Sequence, residues 1–193
     1  ELWRYETTNF INGTPAFENN RIVFGGCDAL LHTVSSKTGK KIATTNLEIY
    51  IASSPALDGQ KMYVGNYDGQ VFCLDSKTND ILWSFKNGED AAPILSSAAV
   101  DETRMYIGSQ DQNIYCLNKN TGRLIWTFQT MGRVDGSPVV CEDKLLCTSA
   151  YGSVYILNSF TGEKVWSFDL GSPLFASPAV VGDNFYITSQ SGA

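Results

Sequence analysis

A pattern of about 40 residues fills this chain in five copies, and that period limits the possible folds more than any single residue does. Each copy begins at a Ser-Pro-like pair and continues through short apolar runs. The first residue of the pair recurs at spacings of 40, 43, 40 and 40, at Thr14, Ser54, Ser97, Ser137 and Ser177. A fixed period indicates a repeat architecture, so most of the prominent residues are expected to belong to the scaffold.

Each copy consists of four short strand-like runs separated by turns. In the second copy the predicted strands are 54–57, 61–66, 70–75 and 81–86. The pair Asp68-Gly69 favours a tight hairpin, because glycine accepts the positive φ that such turns need. The third turn carries Gly39, Asn79, Gly122 or Gly162, which fits one shared left-handed backbone position. Four-stranded antiparallel sheets at this period predict an all-β fold, a β-propeller.

The repeat predicts one array over residues 1–193, with complete blades at about 14–46, 54–86, 97–129 and 137–169. Residues 1–5 align with the fourth strand of a blade, and residues 185–193 align with a second strand and its turn. Because no third strand is left over, the two ends cannot form a fifth complete blade. We therefore expect part of a ring of seven or eight blades, with an open edge that favours self-association.

The run from the third to the fourth strand carries a more specific signature. It reads Leu74-Asp75-x-x-Thr78-Asn79-x-x-x-Trp83, and its counterparts end at Trp126 and Trp166. This resembles the tryptophan-docking repeat of the pyrroloquinoline-quinone (PQQ) propellers, over essentially the whole chain. The resemblance implies that each tryptophan stacks on the neighbouring blade. The implied docking residues are Trp3, Trp83, Trp126 and Trp166, with Gly39, Gly122 and Gly162; the first copy departs from the pattern by having Ala43.

Charge and hydropathy exclude several functions. The net charge is −6 and no basic cluster occurs, which disfavours nucleic-acid binding. No apolar stretch approaches the roughly 18 residues of a membrane span. No signal peptide is visible.

The five cysteines are an odd number without disulfide or metal-ligand spacing. Cys73 and Cys116 share a third-strand position where a small buried residue is expected. Cys27, Cys141 and Cys147 are predicted on hairpins. Free thiols favour a reducing compartment weakly, whereas the family resemblance favours a periplasmic or other extracytoplasmic one, so the compartment stays open.

The resemblance raises one catalytic alternative, a segment of a PQQ-dependent alcohol or sugar dehydrogenase with calcium beside the quinone. Such enzymes often carry an adjacent Cys-Cys pair, and this chain has none. Asp28, Asp68 and Asp111 share one turn position, and Asp75 belongs to the docking motif. His32 aligns with third-strand aromatic residues, which favours packing over a ligand or base role. With no convergent cluster of titratable groups, we expect no cofactor and no catalysis from this segment.

The leading hypothesis is a non-catalytic scaffold that recognises a protein or small-ligand partner. Relatives with this repeat and without quinone machinery include the BamB lipoproteins of outer-membrane assembly and propeller modules of sensor or surface proteins. Loops on a rigid repeat frame suit recognition, and Tyr and Arg are favoured interface anchors. The candidates lie in the inter-blade connections and second-turn tips near the channel mouth: Tyr50, Tyr67, Gln110, Arg133, Asp135, Tyr151 and Phe175.

Two alternatives remain within this hypothesis. Arg133 and Asp135 could pair with each other instead of with a partner. The connection after the second blade, 86–93, is three residues longer than the others and is either a binding loop or a tolerated surface bulge.

Overall fold

The structure is a computed structural model that describes residues 1–192. These residues fall into two compact units, Glu1–Ile94 and Leu95–Ala193. Every regular element among the described residues is a β-strand, because the sequence alternates short apolar runs with turn residues throughout. The described part of the chain contains no helix long and apolar enough to cross a membrane.

The first unit holds two four-stranded antiparallel sheets, each with its strands in sequence order. The first sheet, blade 1, consists of β1 (Ala16–Glu18), β2 (Arg21–Gly25), β3 (Leu30–Ser35) and β4 (Lys41–Asn46). The second sheet, blade 2, consists of β5 (Ala56–Asp58), β6 (Lys61–Gly65), β7 (Gln70–Asp75) and β8 (Ile81–Lys86).

The second unit repeats this plan and adds a hairpin. Blade 3 consists of β9 (Ala99–Val100), β10 (Arg104–Gly108), β11 (Asn113–Asn118) and β12 (Leu124–Gln129). Blade 4 consists of β13 (Val139–Cys141), β14 (Lys144–Thr148), β15 (Ser153–Asn158) and β16 (Lys164–Asp169), and the hairpin of β17 (Ala179–Val181) and β18 (Asn184–Tyr186).

The second and third strands of each blade carry the core, because their side chains are buried on both faces. In the first unit the core includes Val23 and Leu31 of blade 1 and Met62 and Phe72 of blade 2. In the second unit it joins β10 and β11 to β14 and β15. The outer strands β4 and β12 alternate exposed and half-buried residues, as expected for a sheet edge with one covered face.

Each of two connections between blades packs an aliphatic side chain against a glycine at the end of a second strand. A Cβ atom on Gly25 would lie 2.1 Å from Ile51 Cγ2, and one on Gly108 would lie 2.2 Å from Val134 Cγ1. Only glycine lets the end of the second strand approach the connection this closely. Ile51 and Val134 are therefore fully buried, whereas Ile11 at the equivalent position is exposed.

One detail of the strand prediction is wrong. Residues 1–5 form no strand, because no strand among residues 1–192 pairs with them. Cys147 lies on β14 in the hairpin of β14 and β15 and is fully buried.

Candidate functional site

The junction between blades 3 and 4 shows how the docking motif works. Trp126 on β12 donates its indole N–H to the carbonyl of Ser159, at 3.1 Å. A Cβ on Gly162 would lie 2.7 Å from the indole ring, and Gly162 has φ +76°. Glycine is therefore required twice, once for the left-handed backbone and once to admit the ring.

Trp3 repeats this geometry against blade 1. Its indole N–H donates to the Ser36 carbonyl at 2.8 Å, and a Cβ on Gly39 would lie 2.5 Å from the ring. Trp83 packs beside Tyr63, with ring centroids 6.0 Å apart. Gly122 has φ +69° in its own turn.

Trp166 differs from the other docking tryptophans because it is 41% exposed. It stacks on Phe168 of its own strand and contacts Phe185 of the terminal hairpin, at centroid distances of 6.1 and 6.2 Å. Its ring therefore gains less from burial than that of Trp126.

The junction between blades 1 and 2 replaces the tryptophan and the glycine together. Ala43 stands opposite Thr33 in the sheet, in the register that places Trp126 opposite Cys116. Asn79 takes the glycine position with φ +64°. Its side chain is buried and donates to the Thr33 hydroxyl at 2.9 Å. The Asn79 amide thus occupies space at the position that lies under an indole in the other junctions.

Arg21 completes this replacement. Its guanidinium donates to the carbonyls of Ser76 and Lys77. Ser76 corresponds to Ser36 and Ser159, the two residues whose carbonyls accept an indole N–H elsewhere. An arginine from β2 therefore satisfies the acceptor that the missing tryptophan leaves free.

Five of the seven candidate recognition residues come together in the second unit. Arg133 Nε lies 2.9 Å from Asp135 Oδ2, and Asp135 Oδ1 accepts a hydrogen bond from Gln110 Nε2 at 2.8 Å. The Arg133 guanidinium also lies over the Phe175 ring, 5.4 Å from its centroid. Arg133 and Asp135 thus pair with each other, which was the alternative to a partner contact, yet the Arg133 side chain remains 52% exposed.

Tyr151 completes this group, which we call the Arg133 surface: Gln110, Arg133, Asp135, Tyr151 and Phe175. The Tyr151 ring lies against Gly132, where a Cβ would come within 2.9 Å, and the side chain is 70% exposed. Gln110, Arg133, Tyr151 and Phe175 line a shallow cavity of about 430 Å³ together with Gln112, Ala150 and Pro173. The surface combines two exposed aromatic rings with an arginine held in place from two sides.

The remaining candidates, Tyr50 and Tyr67, form a pair in the first unit. The Tyr67 backbone N–H donates to the Tyr50 carbonyl at 2.9 Å, and both rings are exposed. The same backbone bond links Ala150 to Arg133 at 2.8 Å. A recurring bond between turn tip and connection therefore fixes the backbone on which each candidate side chain stands.

The longer connection after blade 2 is held at its start by an ion pair. Lys86 Nζ lies 2.7 Å from Asp68 Oδ2, and both side chains are partly exposed. A Cβ on Gly69 would lie 2.6 Å from the Ala91 Cβ, so the connection packs directly against the second turn.

The candidate acids and the single histidine all have partners inside a blade. His32 Nε2 lies 3.1 Å from Asp28 Oδ2, and its Nδ1 lies 3.1 Å from the Tyr5 hydroxyl. Burial raises the pKa of the Tyr5 phenol, and the negative charge of Asp28 adds to that rise. Asp111 accepts a hydrogen bond from Tyr115. Asp75 accepts from the backbone N–H groups of Thr78 and Lys77, which lowers its pKa.

No three His, Cys, Asp or Glu side chains of the described residues are grouped so that they could hold a metal ion. Cys73, Cys116 and Cys147 are buried, and burial raises the pKa of the last two to about 12. Cys27 is half-buried and Cys141 is exposed.

Sequence reasoning missed Arg21 and the Tyr5–His32–Asp28 cluster. A signal for the first was present, because Ala43 and Asn79 depart from the docking motif at the same junction. The cluster had no such signal, since Tyr5 lies 27 residues from His32 and only the fold brings them together.

A comparison with known protein families matches the chain to one family. The family described as outer membrane protein assembly factor BamB matches residues 1–100 and 94–193. BamB from Moraxella catarrhalis is structurally similar, with a TM-score of 0.84 and 22% identity, over 98% of this chain and 62% of that one. A computationally designed protein, Ika4, gives a TM-score of 0.73 and 18% identity, over 82% of this chain and 97% of that one. No curated protein matches the sequence.

These matches confirm the resemblance to the PQQ-like, BamB-like repeat and the all-β propeller fold. This chain spans 62% of the length of the Moraxella catarrhalis BamB structure.

Proposed function

The chain belongs to the BamB family of outer membrane protein assembly factors, and from that premise we propose that it is a non-catalytic scaffold that recognises a protein partner in outer-membrane assembly. The family match supports a scaffold role in general. The Arg133 surface supports the specific proposal that the second unit holds a partner-binding site.

The observation that carries this proposal is the fixed position of Arg133. Its guanidinium is held by Asp135 on one side and lies over Phe175 on the other, while half of the side chain remains exposed. Arg, Tyr and Phe residues dominate interface energies when they are presented rigidly, because little side-chain entropy is lost on binding. Tyr151 adds a large exposed ring beside them.

We propose further that this function needs neither PQQ nor calcium. The acids that could serve a quinone site are committed to the blades, since Asp28 bonds His32, Asp111 bonds Tyr115 and Asp75 caps its turn. A titration of PQQ with and without Ca²⁺ checks this by thermal unfolding, because a ligand that binds only the folded state raises its stability. No shift is expected, and a saturable shift would favour the dehydrogenase alternative.

The recognition proposal is tested by site-specific photo-crosslinking. A photoreactive amino acid replaces Tyr151, and the purified chain is added to solubilised envelope membranes of a bacterium that lacks its own BamB. We expect one adduct with a component of outer-membrane protein assembly. The adduct should disappear when Arg133 and Phe175 are both changed to Ala, because the surface then loses its anchors.

The control carries the same photoreactive residue at Ile125, which is exposed on β12 of the same unit. No adduct is expected there. An adduct at position 125 alone would show that a partner binds, but not at the Arg133 surface. An adduct at position 151 that survives the double substitution would reject the anchoring role of Arg133 and Phe175.

We also propose that the chain self-associates through the apolar face of its last blade and hairpin. Phe168 and Tyr186 are exposed there, beside the partly exposed Trp166. Light scattering across a range of concentrations should show a mass that increases with concentration. Replacing Phe168 and Tyr186 with Ser should suppress the increase, and a monomer at every concentration would reject the proposal.

A further inference from the structure

The repeat provides an internal reference for the junction between blades 1 and 2. Residues of this junction correspond to those of the junction between blades 3 and 4 at a constant offset of 83 positions, so Ala43 corresponds to Trp126 and Asn79 to Gly162. The residues that surround Trp126 also have counterparts. Tyr106, Val140 and Ser159 correspond to Val23, Leu57 and Ser76.

In the second unit the indole of Trp126 occupies the space among these residues. Its ring centroid lies 5.9 Å from that of Tyr106, its N–H bonds Ser159, and Val140 packs against the same core cluster. An outer groove remains beside it, lined by Asp101, Arg104, Val140 and Phe160 among others. This groove does not reach Tyr106 or Ser159.

In the first unit the equivalent groove continues inward. A cavity of about 550 Å³ is lined by Arg21, Leu57 and Gln60 and extends to Val23 and Ser76. Its inner residues are the counterparts of those that contact the Trp126 indole. Ala43 carries no ring that could fill this end, and the amide of Asn79 bonds the Thr33 hydroxyl. The outer groove of the second unit is no smaller, at about 620 Å³, so the first-unit cavity differs in its inward reach and not in its size. Both volumes lie within the range of about 300–1,000 Å³ that is usual for small-molecule sites.

We propose that this cavity binds a small planar heteroaromatic molecule of the indole class, against Val23, Leu57 and Ser76, the counterparts of residues that surround the Trp126 ring. Three contacts would recognise such a ligand. Val23 and Leu57 supply apolar walls for the ring. The Ser76 carbonyl, which accepts from Arg21 with one lone pair, keeps a second for the ligand N–H. The Arg21 guanidinium offers a flat cationic surface for stacking.

The ligand class follows from the same contacts. A planar ring is needed because the Trp126 indole fits between comparable walls. A ring N–H is needed because the indole N–H bonds the equivalent carbonyl at two other places, Ser36 and Ser159. A cationic ring is disfavoured by Arg21. An apolar cavity of ligand size that a missing side chain leaves open is a known kind of binding site for small aromatic molecules.

The proposal is tested with 5-fluoroindole, observed by fluorine NMR during titration with the intact chain. Saturable binding is expected, together with shifts of the amide signals of Gln60 and Lys77 beside the cavity. The double variant Ala43→Trp/Asn79→Gly rebuilds a docking pair and should weaken binding by about tenfold or more, because the protein's own indole then fills the site. Leu57→Trp fills the cavity from the opposite wall and should have the same effect without altering the third turn.

The matched control is Ile42→Trp, which adds an indole on β4 at the neighbouring, exposed position. This variant should bind 5-fluoroindole as the unmodified chain does. The variant Trp126→Ala opens the equivalent space in the second unit. It should therefore create a second binding site for 5-fluoroindole. The proposal is overturned if the unmodified chain shows no saturable binding, or if both filling variants bind as it does.

A last arm distinguishes a free ligand from a tryptophan side chain of a protein. N-acetyltryptophanamide carries the same ring with peptide groups attached. Weaker binding than 5-fluoroindole supports a free small molecule, and tighter binding would overturn that assignment.

Discussion

Two blade junctions in this chain solve the same packing problem with different residues. Between blades 3 and 4, Trp126 lies over Gly162 and bonds the Ser159 carbonyl. Between blades 1 and 2, Ala43 and Asn79 hold those positions, and Arg21 bonds the equivalent carbonyl. The ring, the residue beneath it and the donor to the carbonyl therefore all differ between the two junctions, although Arg21 has a counterpart in Arg104.

The two junctions differ in how completely they are packed. Both junctions bury polar atoms without a hydrogen-bond partner among the described residues, Asn79 Oδ1 in one and Ser159 Oγ and Arg104 Nε in the other. Leaving such an atom unsatisfied costs about 1–3 kcal/mol. Only the tryptophan junction buries a large ring whose N–H is satisfied. The junction between blades 1 and 2 also retains the cavity beside Val23. In the other junction the Trp126 ring covers the counterparts of Val23 and Ser76, so the junction between blades 1 and 2 is the less completely packed of the two at these residues.

The largest effect is expected from removing the ring that fills the better junction. Trp126→Ala should lower the free energy of unfolding by about 3–5 kcal/mol, through lost burial and the cavity that remains. Urea unfolding followed by circular dichroism measures it. The matched control is Trp166→Ala, which should cost clearly less because that ring is already 41% exposed. Equal costs would show that burial at the junction does not decide the contribution.

Much of this architecture was predictable because the five copies of the repeat can be aligned with one another. The period, the turn residues and the docking signature fixed the number of strands per blade and the propeller class, since each copy repeats the same physical requirements. The strand ends were less predictable. The first strand of the second copy begins at Ala56, not at residue 54, because the preceding residues belong to the connection.

For the Arg133 surface, the sequence indicated the positions of the residues but not the contacts between them. Variation between copies indicated Arg133 and Phe175, but their stacking depends on how two connections are juxtaposed in space. The role of Arg21 was harder to predict. Ala43 and Asn79 mark the junction as unusual, but they do not identify Arg21, whose partner carbonyl at Ser76 lies 55 residues away and has no residue-type signature.

The next effect concerns the residue beneath the ring. Gly162→Ala should cost about 1–3 kcal/mol, because alanine is strained at φ +76° and its Cβ would lie 2.7 Å from the Trp126 ring. In a Trp126→Ala background the cost should fall to the backbone strain alone. Thermal unfolding of the four proteins gives both values, and an unchanged cost without the ring would mean that contact with the ring is unimportant.

Rebuilding the docking pair at the weaker junction tests the coupling directly. Ala43→Trp alone should destabilise the chain, because Asn79 occupies the space under the new ring, and Asn79→Gly alone should lose the bond to Thr33. The double variant should be more stable than the sum of the single effects predicts, by about 1–3 kcal/mol. Additive effects in this double-mutant cycle would show that the two positions changed independently.

The smallest expected effect is a pH dependence of stability that arises at the tryptophan junction. Burial alone would raise the pKa of Asp101, but hydrogen bonds from the Tyr106 hydroxyl and from the backbone N–H groups of Thr103 and Arg104 outweigh it and lower that pKa. Tyr106 packs against Trp126, and its hydroxyl, 2.6 Å from Asp101 Oδ2, also lies 3.2 Å from the Ser159 carbonyl oxygen, so this carboxylate supports the tryptophan junction. A carboxyl group with a lowered folded-state pKa stabilises the fold above its ordinary value of about 3.9. That stability is lost as the pH falls through the folded-state value.

Asp101→Asn should therefore reduce stability at pH 7 by a small amount and flatten the loss of stability below about pH 4. Tyr106→Phe should flatten it in the same direction but less, because the two backbone hydrogen bonds remain. Thermal unfolding between neutral and acidic pH measures both. If Asp101→Asn left the acid slope unchanged, acid sensitivity would arise elsewhere, for example at Asp75, whose pKa is also lowered. The tryptophan junction would then owe its stability to burial of the ring and not to the charge beside it.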